Sequence, residues 1–285
     1  MDRQQLERTA DKIETVLLMN HTPAQVTGGH VTPRWVQFNV NLASKRVDRV
    51  EALTTQIAAA LGVPYATITR AGGAVRIDVP RNDPQPVLLA NMIKRLPASR
   101  VPQCTALLGL ADDGAPLLAR FPAENVGHVL IGGKAGSGKT SQIVAMLLSL
   151  AYYNKPRHVK IVAMGSGFDG LRDLPHMLEV DELQRLITRS GTDPRVIVAI
   201  DEPRAADLPV LRAMVERGPA VGVHCIVAAR EPFDLPVNVK ITADAQRARS
   251  HQPGEFWAEY SGAVIRFDAA HIGTDEIGSF IQTWK

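Results

Sequence analysis

Eight consecutive residues of this 285-residue chain, Gly133-Lys134-Ala135-Gly136-Ser137-Gly138-Lys139-Thr140, have types and spacing suited to phosphate chemistry. They fit the pattern G-x-x-x-x-G-K-[ST] without a mismatch. Its glycines let the backbone wrap so tightly that successive N–H groups point at one anion. The Lys139 ammonium then reaches the β- and γ-phosphates of a nucleotide, and the Thr140 hydroxyl ligates Mg²⁺. An ordinary glycine turn can match the same pattern, so the flanking elements decide. His128-Val129-Leu130-Ile131 reads as a short buried strand. Residues 141–153 (SQIVAMLLSLAYY) read as a buried helix, whose N-terminus adds its dipole to the anion site. The nucleotide-contacting candidates are therefore Gly133, Lys134, Ala135, Gly136, Ser137, Gly138, Lys139, Thr140 and Ser141, with ATP and Mg²⁺ as the expected cofactors.

A second constellation lies 62 positions after Lys139. Val196-Ile197-Val198-Ala199-Ile200 is an apolar strand that ends in Asp201-Glu202. Such an end is often only solvent-facing; beside an intact phosphate loop the two acids take roles. Asp201 joins Thr140 in holding the Mg²⁺ shell, and Glu202 polarises the attacking water as general base. The next apolar strand, Val223–Ala228, runs into Ala229-Arg230-Glu231-Pro232. Arg230 reads either as a sensor of the γ-phosphate or as a solvated loop charge. His224, between apolar neighbours, reads as a packed, hydrogen-bonded histidine. The catalytic candidates are Lys139, Glu202 and Arg230; the metal candidates are Thr140 and Asp201.

The elements that must position these residues fall into two regions. Residues 1–100 predict a small α+β domain. It has an amphipathic helix over 2–20 (Leu6, Ala10, Ile13, Val16 and Leu17 on one face), a Gly/Pro/Thr loop over 21–33 and an alternating strand over 35–42. Helical spacing follows from Val47 to Leu61, then two short strands around Gly72-Gly73 and a short helix within 86–96. Pro97 to Pro102 marks the seam. Residues 101–285 predict an α/β domain with a mostly parallel sheet. Its expected strands are 105–110, 116–121, 128–131, 159–164, 195–200, 223–228 and 262–267; its expected helices are 139–153, 181–189, 208–217 and 274–284.

Composition narrows the class. Apolar residues at 45% and charged residues at 21% are ordinary for a globular protein. A net charge of +3 and a sequence pI near 8.9 permit a polyanion partner. Aromatics at 5% argue against a stacking platform for single strands. Cys104 and Cys225, far apart and in apolar surroundings, predict reduced core residues. The N-terminal MDRQQLERTADK lacks a signal-peptide pattern, and no apolar run approaches the ~20 residues that span a bilayer. The expectation is a cytoplasmic protein with no membrane segment of its own.

Several stretches together resemble the bacterial DNA-translocase family of the FtsK/SpoIIIE type. They are Val126–Ile131 leading into the phosphate loop, Leu174-Pro175-His176-Met177-Leu178, Gly222–Ala228 followed by Pro232, and the closing run Ile265-Arg266-Phe267 to Trp284-Lys285. Residues 35–80 are similar to the smaller domain that precedes the motor domain there. The resemblance implies a RecA-like P-loop ATPase, a compact member that forms a homo-oligomeric ring, usually a hexamer, and moves along double-stranded DNA. It also implies an arginine supplied to the neighbouring subunit's nucleotide, with Arg185 and Arg189 as the nearby candidates. The chain departs from the family at Arg230-Glu231 and at Gly165-Ser166-Gly167, where the family has Gln-Arg and Asp-Pro-Lys. Arg212, Arg217, Lys240, Arg247 and Arg249 are candidates to line a pore. Two other readings remain open from the sequence: an ATPase of this fold that powers protein secretion, and a nucleotide-binding assembly scaffold without motor activity.

Overall fold

Asp2 begins the first helix by exchanging two bonds with Gln5: its carboxylate accepts from the Gln5 N–H at 2.8 Å, and the Gln5 side chain accepts from the Asp2 N–H at 3.1 Å. The computed structural model describes residues 2–42, 47–71, 74–123, 126–179, 183–230, 234–243 and 253–282. They form two compact units, Met1–Pro86 and Val87–Lys285.

In the first unit, α1 (Arg3–Met19) buries Ile13 and Leu17, with Leu6, Ala10 and Val16 at the margin of the same cluster. The 21–33 stretch, expected to be a loop, holds β1 (Ala24–Val31), antiparallel to β2 (Trp35–Leu42). Its glycines hid the strand. A Cβ on Gly29 would come within 1.9 Å of the Gln37 carbonyl, and the register shifts at Val26/Gly28, so they serve a bulged, close backbone approach. The 47–61 run divides into α2 (Val47–Glu51) and α3 (Thr54–Leu61). β3 (Thr67–Ala71) and β4 (Ala74–Pro80) pair antiparallel and complete a sheet of order β1-β2-β4-β3. Gly72-Gly73 lie outside the described residues.

The second unit starts at Val87, ahead of the expected seam at 97–102. The reason is packing: β5 (Val87–Leu88) pairs with the last strand of this unit, and α4 (Leu89–Arg95) buries Leu89, Met92 and Ile93 in its core. There follow β6 (Thr105–Ala111), β7 (Pro116–Arg120), β8 (Val129–Gly133), α5 (Lys139–Tyr153), β9 (Val159–Met164), β10 (Arg195–Asp201), α6 (Leu208–Arg217), β11 (Val223–Ala229), β12 (Val239–Ala243), β13 (Glu255–Tyr260), β14 (Ala263–His271) and α7 (Glu276–Gln282). The expected helix at 181–189 is a 3₁₀ segment, Leu183–Thr188. Nine of the strands run in the order β7-β6-β14-β13-β12-β8-β11-β10-β9, and β5 joins at β14. The architecture is α/β as expected, but the sheet is mixed. β12-β8-β11-β10-β9 are parallel, whereas β7, β6, β14, β13 and β12 pair antiparallel. β12 and β13, absent from the expected strands, join the halves.

Both faces of the parallel half are covered, which explains its continuous apolar strands. Ile131, Ile161, Ile197, Ala199 and Ile226 face the cluster that contains α5. Leu130, Val162, Val198, Cys225 and Val227 face the cluster that contains Leu211 and Met214 of α6. Burial pushes the thiols of Cys104 and Cys225 up to about 12, and both are free, buried residues as the composition implied.

Three polar side chains fix α5 along β6. The Gln142 amide donates to the Leu108 carbonyl at 3.0 Å, the Leu107 N–H donates to Ser149 Oγ at 2.9 Å, and the Cys104 N–H donates to Asn154 Oδ1 at 3.0 Å. The β6–β7 register shifts at Leu107/Gly109, so the Leu107 N–H finds its partner on the helix instead of the ladder. Ser149→Ala leaves that buried N–H unsatisfied and is expected to cost about 1–3 kcal/mol in denaturant unfolding of the full chain. A loss indistinguishable from zero would remove this anchor from the account.

Candidate functional site

The phosphate loop connects the end of β8 to the start of α5, and its shape depends on three glycines at positive φ: Gly133 (157°), Gly136 (78°) and Gly138 (98°). A Cβ on Gly133 would lie 2.9 Å from both Ala243 Cβ and Ser137 Oγ, so β12 and the loop's own turn leave no room there. The Gly254 N–H, just before β13, donates to the Ser137 carbonyl at 3.1 Å. The antiparallel half thus braces the loop from outside. Lys134, Ala135, Gly136 and Ser141 are exposed, while Lys139 is only 6% exposed.

Lys139 Nζ donates to the Gly133 carbonyl at 2.8 Å and to the Lys134 carbonyl at 3.2 Å, and stands 3.4 Å from Glu202 Oε1. Curled back over its own loop, it points its charge into the loop's mouth. Thr140 Oγ1 donates to Asp201 Oδ2 at 2.5 Å, joining the first turn of α5 to the end of β10. The other Asp201 oxygen, Oδ1, is buried without a hydrogen-bond partner, and so is Ser137 Oγ. A buried carboxylate oxygen left unpaired beside a threonine hydroxyl is a hard-oxygen donor set of the kind Mg²⁺ takes. Thr140 and Asp201 therefore fit the metal expected from the sequence.

Strand order places the third constellation. β11 lies between β8 and β10, so its end faces both the loop and the acids. Glu202 leaves β10 at φ 52°, held by its N–H to the Ala228 carbonyl at 2.9 Å. Its carboxylate accepts the Arg230 N–H at 3.2 Å, and the Arg230 guanidinium stands 3.5 Å away. Lys139, Glu202 and Arg230 therefore meet, with the carboxylate between two cations. Arg230 is largely exposed, and Glu231 and Pro232 lie outside the described residues.

Arg189 donates to the Asp193 carbonyl at 2.9 Å, just before β10 begins. It therefore sits at the opposite edge of the sheet from Asp201, which ends that strand. Arg185 lies on the 3₁₀ segment before it. Among the pore candidates, Arg212 donates to the Asp234 carbonyl at 2.9 Å, and Arg247 and Arg249 lie outside the described residues. Among the described residues no cluster of three or more His, Cys, Asp or Glu is placed to hold a metal. No helix there is long and apolar enough to cross a membrane.

The sequence reading missed the segment that lies against Thr140 and Asp201. Gly165 and Gly167 lie against Asp201 and Thr140: a Cβ on Gly165 would be 3.1 Å from Asp201 Cβ, and one on Gly167 would be 2.1 Å from Thr140 Cγ2. The signal was present in the Gly-Ser-Gly spelling, but its partners are distant in sequence.

Two histidines stand behind the site. His224 Nδ1 lies 2.9 Å from the Gly127 carbonyl, and His128 Nδ1 accepts the Cys225 N–H at 3.0 Å. Burial holds both imidazoles at about 4, below the usual 6.5, and His224 further disfavours a charge on His128. They are packed neutral histidines, as the sequence indicated for His224. Between about pH 6.5 and 4 the unfolded chain binds the protons that the folded chain refuses. The stability they support is complete above pH 6.5 and is lost as pH falls toward 4. The unfolding free energy is expected to fall by up to about 1.4 kcal/mol per pH unit per histidine in that window. His224→Asn should flatten the slope, and an equal slope in the variant contradicts the assignment.

Residues 89–189 match the model of the FtsK/SpoIIIE family, and residues 1–81 match the model of the FtsK alpha domain. Among curated relatives, the DNA translocase FtsK of Mycobacterium leprae is 28% identical over 200 residues, covering 67% of this chain and 22% of that protein. The DNA translocase FtsK of Sporosarcina ureae is 23% identical over 285 residues, covering 80% of this chain and 36% of that protein. The chain thus spans between about a fifth and a third of these relatives. Among solved structures, the pCW3 conjugation coupling protein TcpA, a monomer form with ATPγS, superposes with a TM-score of 0.57 at 13% identity, covering 98% of this chain and 100% of that one. The cytoplasmic domain of the type VII secretion ATPase EccC of Thermomonospora curvata gives 0.54 at 16% identity, covering 66% and 32%. At these identities the two structures speak to the fold alone.

Proposed function

The chain belongs to the FtsK/SpoIIIE family, and from that premise we propose that it hydrolyses ATP with Mg²⁺ and uses the cycle to move double-stranded DNA, working as a homo-oligomeric ring. The observation that carries the ATPase reading is the convergence of Lys139, Thr140, Asp201 and Glu202 at one glycine loop, with Asp201 Oδ1 buried and unpaired. The loop amides and Lys139 bind the β- and γ-phosphates, Lys139 giving up its Gly133 and Lys134 carbonyl contacts for phosphate oxygens. Thr140 and Asp201 would hold the Mg²⁺, which would supply charge neutralisation to the phosphates. Glu202 takes a proton from the water that attacks the γ-phosphorus, and ADP leaves. Arg230 keeps the Glu202 carboxylate turned toward the loop.

The DNA reading rests on the similarity to DNA translocases, the mildly basic composition and the scarcity of aromatics. The ring and the arginine donated between subunits rest on the resemblance. The position of Arg189 at the far edge of the sheet supports a role outside its own subunit's site. A cytoplasmic location goes with a DNA substrate.

Lys139→Ala is expected to abolish nucleotide binding or turnover, because the loop then lacks its buried cation. Glu202→Gln is expected to bind ATP and lose hydrolysis by roughly 10²-fold or more, the scale of a general base. Parent-like turnover in Glu202→Gln excludes it as the base.

Duplex binding, measured by anisotropy, should be indifferent to base sequence and fall steeply with salt. The log–log slope should be about −0.9 for each phosphate neutralised. Binding that ignores salt, or that is absent at low salt, moves the reading to protein secretion or to a nucleotide-binding scaffold.

A further inference from the structure

The Gly165-Ser166-Gly167 strap follows β9 and opens a 3₁₀ segment, Ser166–Leu171. It is anchored on both sides. Phe168, 4% exposed, packs into the core beside it, and Ile277 of α7 meets the place where a Gly170 side chain would start, at 3.4 Å. The strap cannot drift away from α5 without disturbing that packing.

The contact at Gly167 is unusually selective. A Cβ there would sit 2.1 Å from Thr140 Cγ2; the next atoms, Thr140 Cβ at 3.6 Å and Asp201 Oδ2 at 4.0 Å, are at ordinary contact distance. One methyl group, on the residue whose hydroxyl bonds Asp201, occupies the space. Threonine carries its methyl and hydroxyl on the same carbon, so neither moves without the other. χ1 has three staggered wells, and a rotation that withdraws the methyl from the strap also swings Oγ1 away from Asp201.

We propose that the Gly165–Gly167 strap is a positioning element of the metal half of the site: by leaving room at Gly167 for the Thr140 methyl, it holds the rotamer that presents the Thr140 hydroxyl beside Asp201. This rests on the nucleotide reading above and adds a residue set to it. Gly167 has no side chain to offer a phosphate or a reacting atom. It acts through Thr140, and its effect belongs to the Mg²⁺-dependent part of nucleotide affinity.

The test measures affinity for a non-hydrolysable ATP analogue with Mg²⁺ and with EDTA. It covers the parent, Gly167→Ala, Thr140→Ser and the double variant. Serine lacks the methyl, so the added Cβ meets nothing closer than ordinary contact in that background. Gly167→Ala in the parent should lower the Mg²⁺-dependent affinity about tenfold or more while leaving the EDTA affinity unchanged. The same substitution in the Thr140→Ser background should cost less than about threefold. If Gly167→Ala lowers the melting temperature, recovery in the Thr140→Ser background reports the same contact. An unchanged Mg²⁺ enhancement in Gly167→Ala, or an equal loss in both backgrounds, overturns the inference and leaves the nucleotide reading standing. A parent chain that binds no analogue under either condition overturns both.

Discussion

The hydrogen bond from Thr140 to Asp201 joins two parts of the molecule that nothing in the local sequence obliges to meet. It links the first turn of the phosphate helix to the end of a strand two places away in the sheet. Its geometry requires α5 to stay in place lengthwise, and the Gln142, Ser149 and Asn154 bonds to β6 provide that. It requires β10 to end level with the loop, which the parallel registry through β11 provides: Asp201 pairs with Ala228, and Ala228 with Ile131. It also requires a neighbour that fits the threonine methyl, which Gly167 provides. The core, the sheet and the strap therefore converge on the placement of two oxygen-bearing side chains.

The electrostatics of the site follow from the same arrangement. Lys139 is almost fully buried, and a buried ammonium needs partners. Two loop carbonyls and the Glu202 carboxylate supply them. Those contacts keep Lys139 oriented toward the loop. The second cation near Glu202 comes from the end of β11. The strand that separates the phosphate loop from the acids thereby contributes to the surroundings of Glu202. In sequence Arg230 was equally readable as a loop charge; the strand order gives it a place beside the carboxylate.

What was legible in the sequence was local. The glycine loop, the apolar strand ending in Asp201-Glu202, the buried helix between them and the amphipathic α1 each depend on residues a few positions apart. What was not legible depends on partners distant in the chain. β1 carries glycines that a propensity reading assigns to a loop, because the Gln37 carbonyl that makes Gly29 necessary is on the next strand. β12 and β13 are short and weakly patterned, yet they convert an expected mostly parallel sheet into a mixed one. The seam at Val87 precedes the proline-rich segment because the apolar face of α4 belongs to the second core. Gly165-Ser166-Gly167 was visible as a departure from the family spelling, but its purpose needed the position of Thr140.

The central claim is that one Mg²⁺-dependent ATP site in this chain drives work on duplex DNA. Its most direct test is steady-state ATP turnover at fixed protein concentration and ionic strength, with duplex DNA, single-stranded DNA or heparin, and with or without Mg²⁺. The account predicts turnover only with Mg²⁺, raised several-fold by duplex DNA and not by the other two polymers. Turnover that is the same with all three polymers, or that persists without a divalent cation, would contradict it.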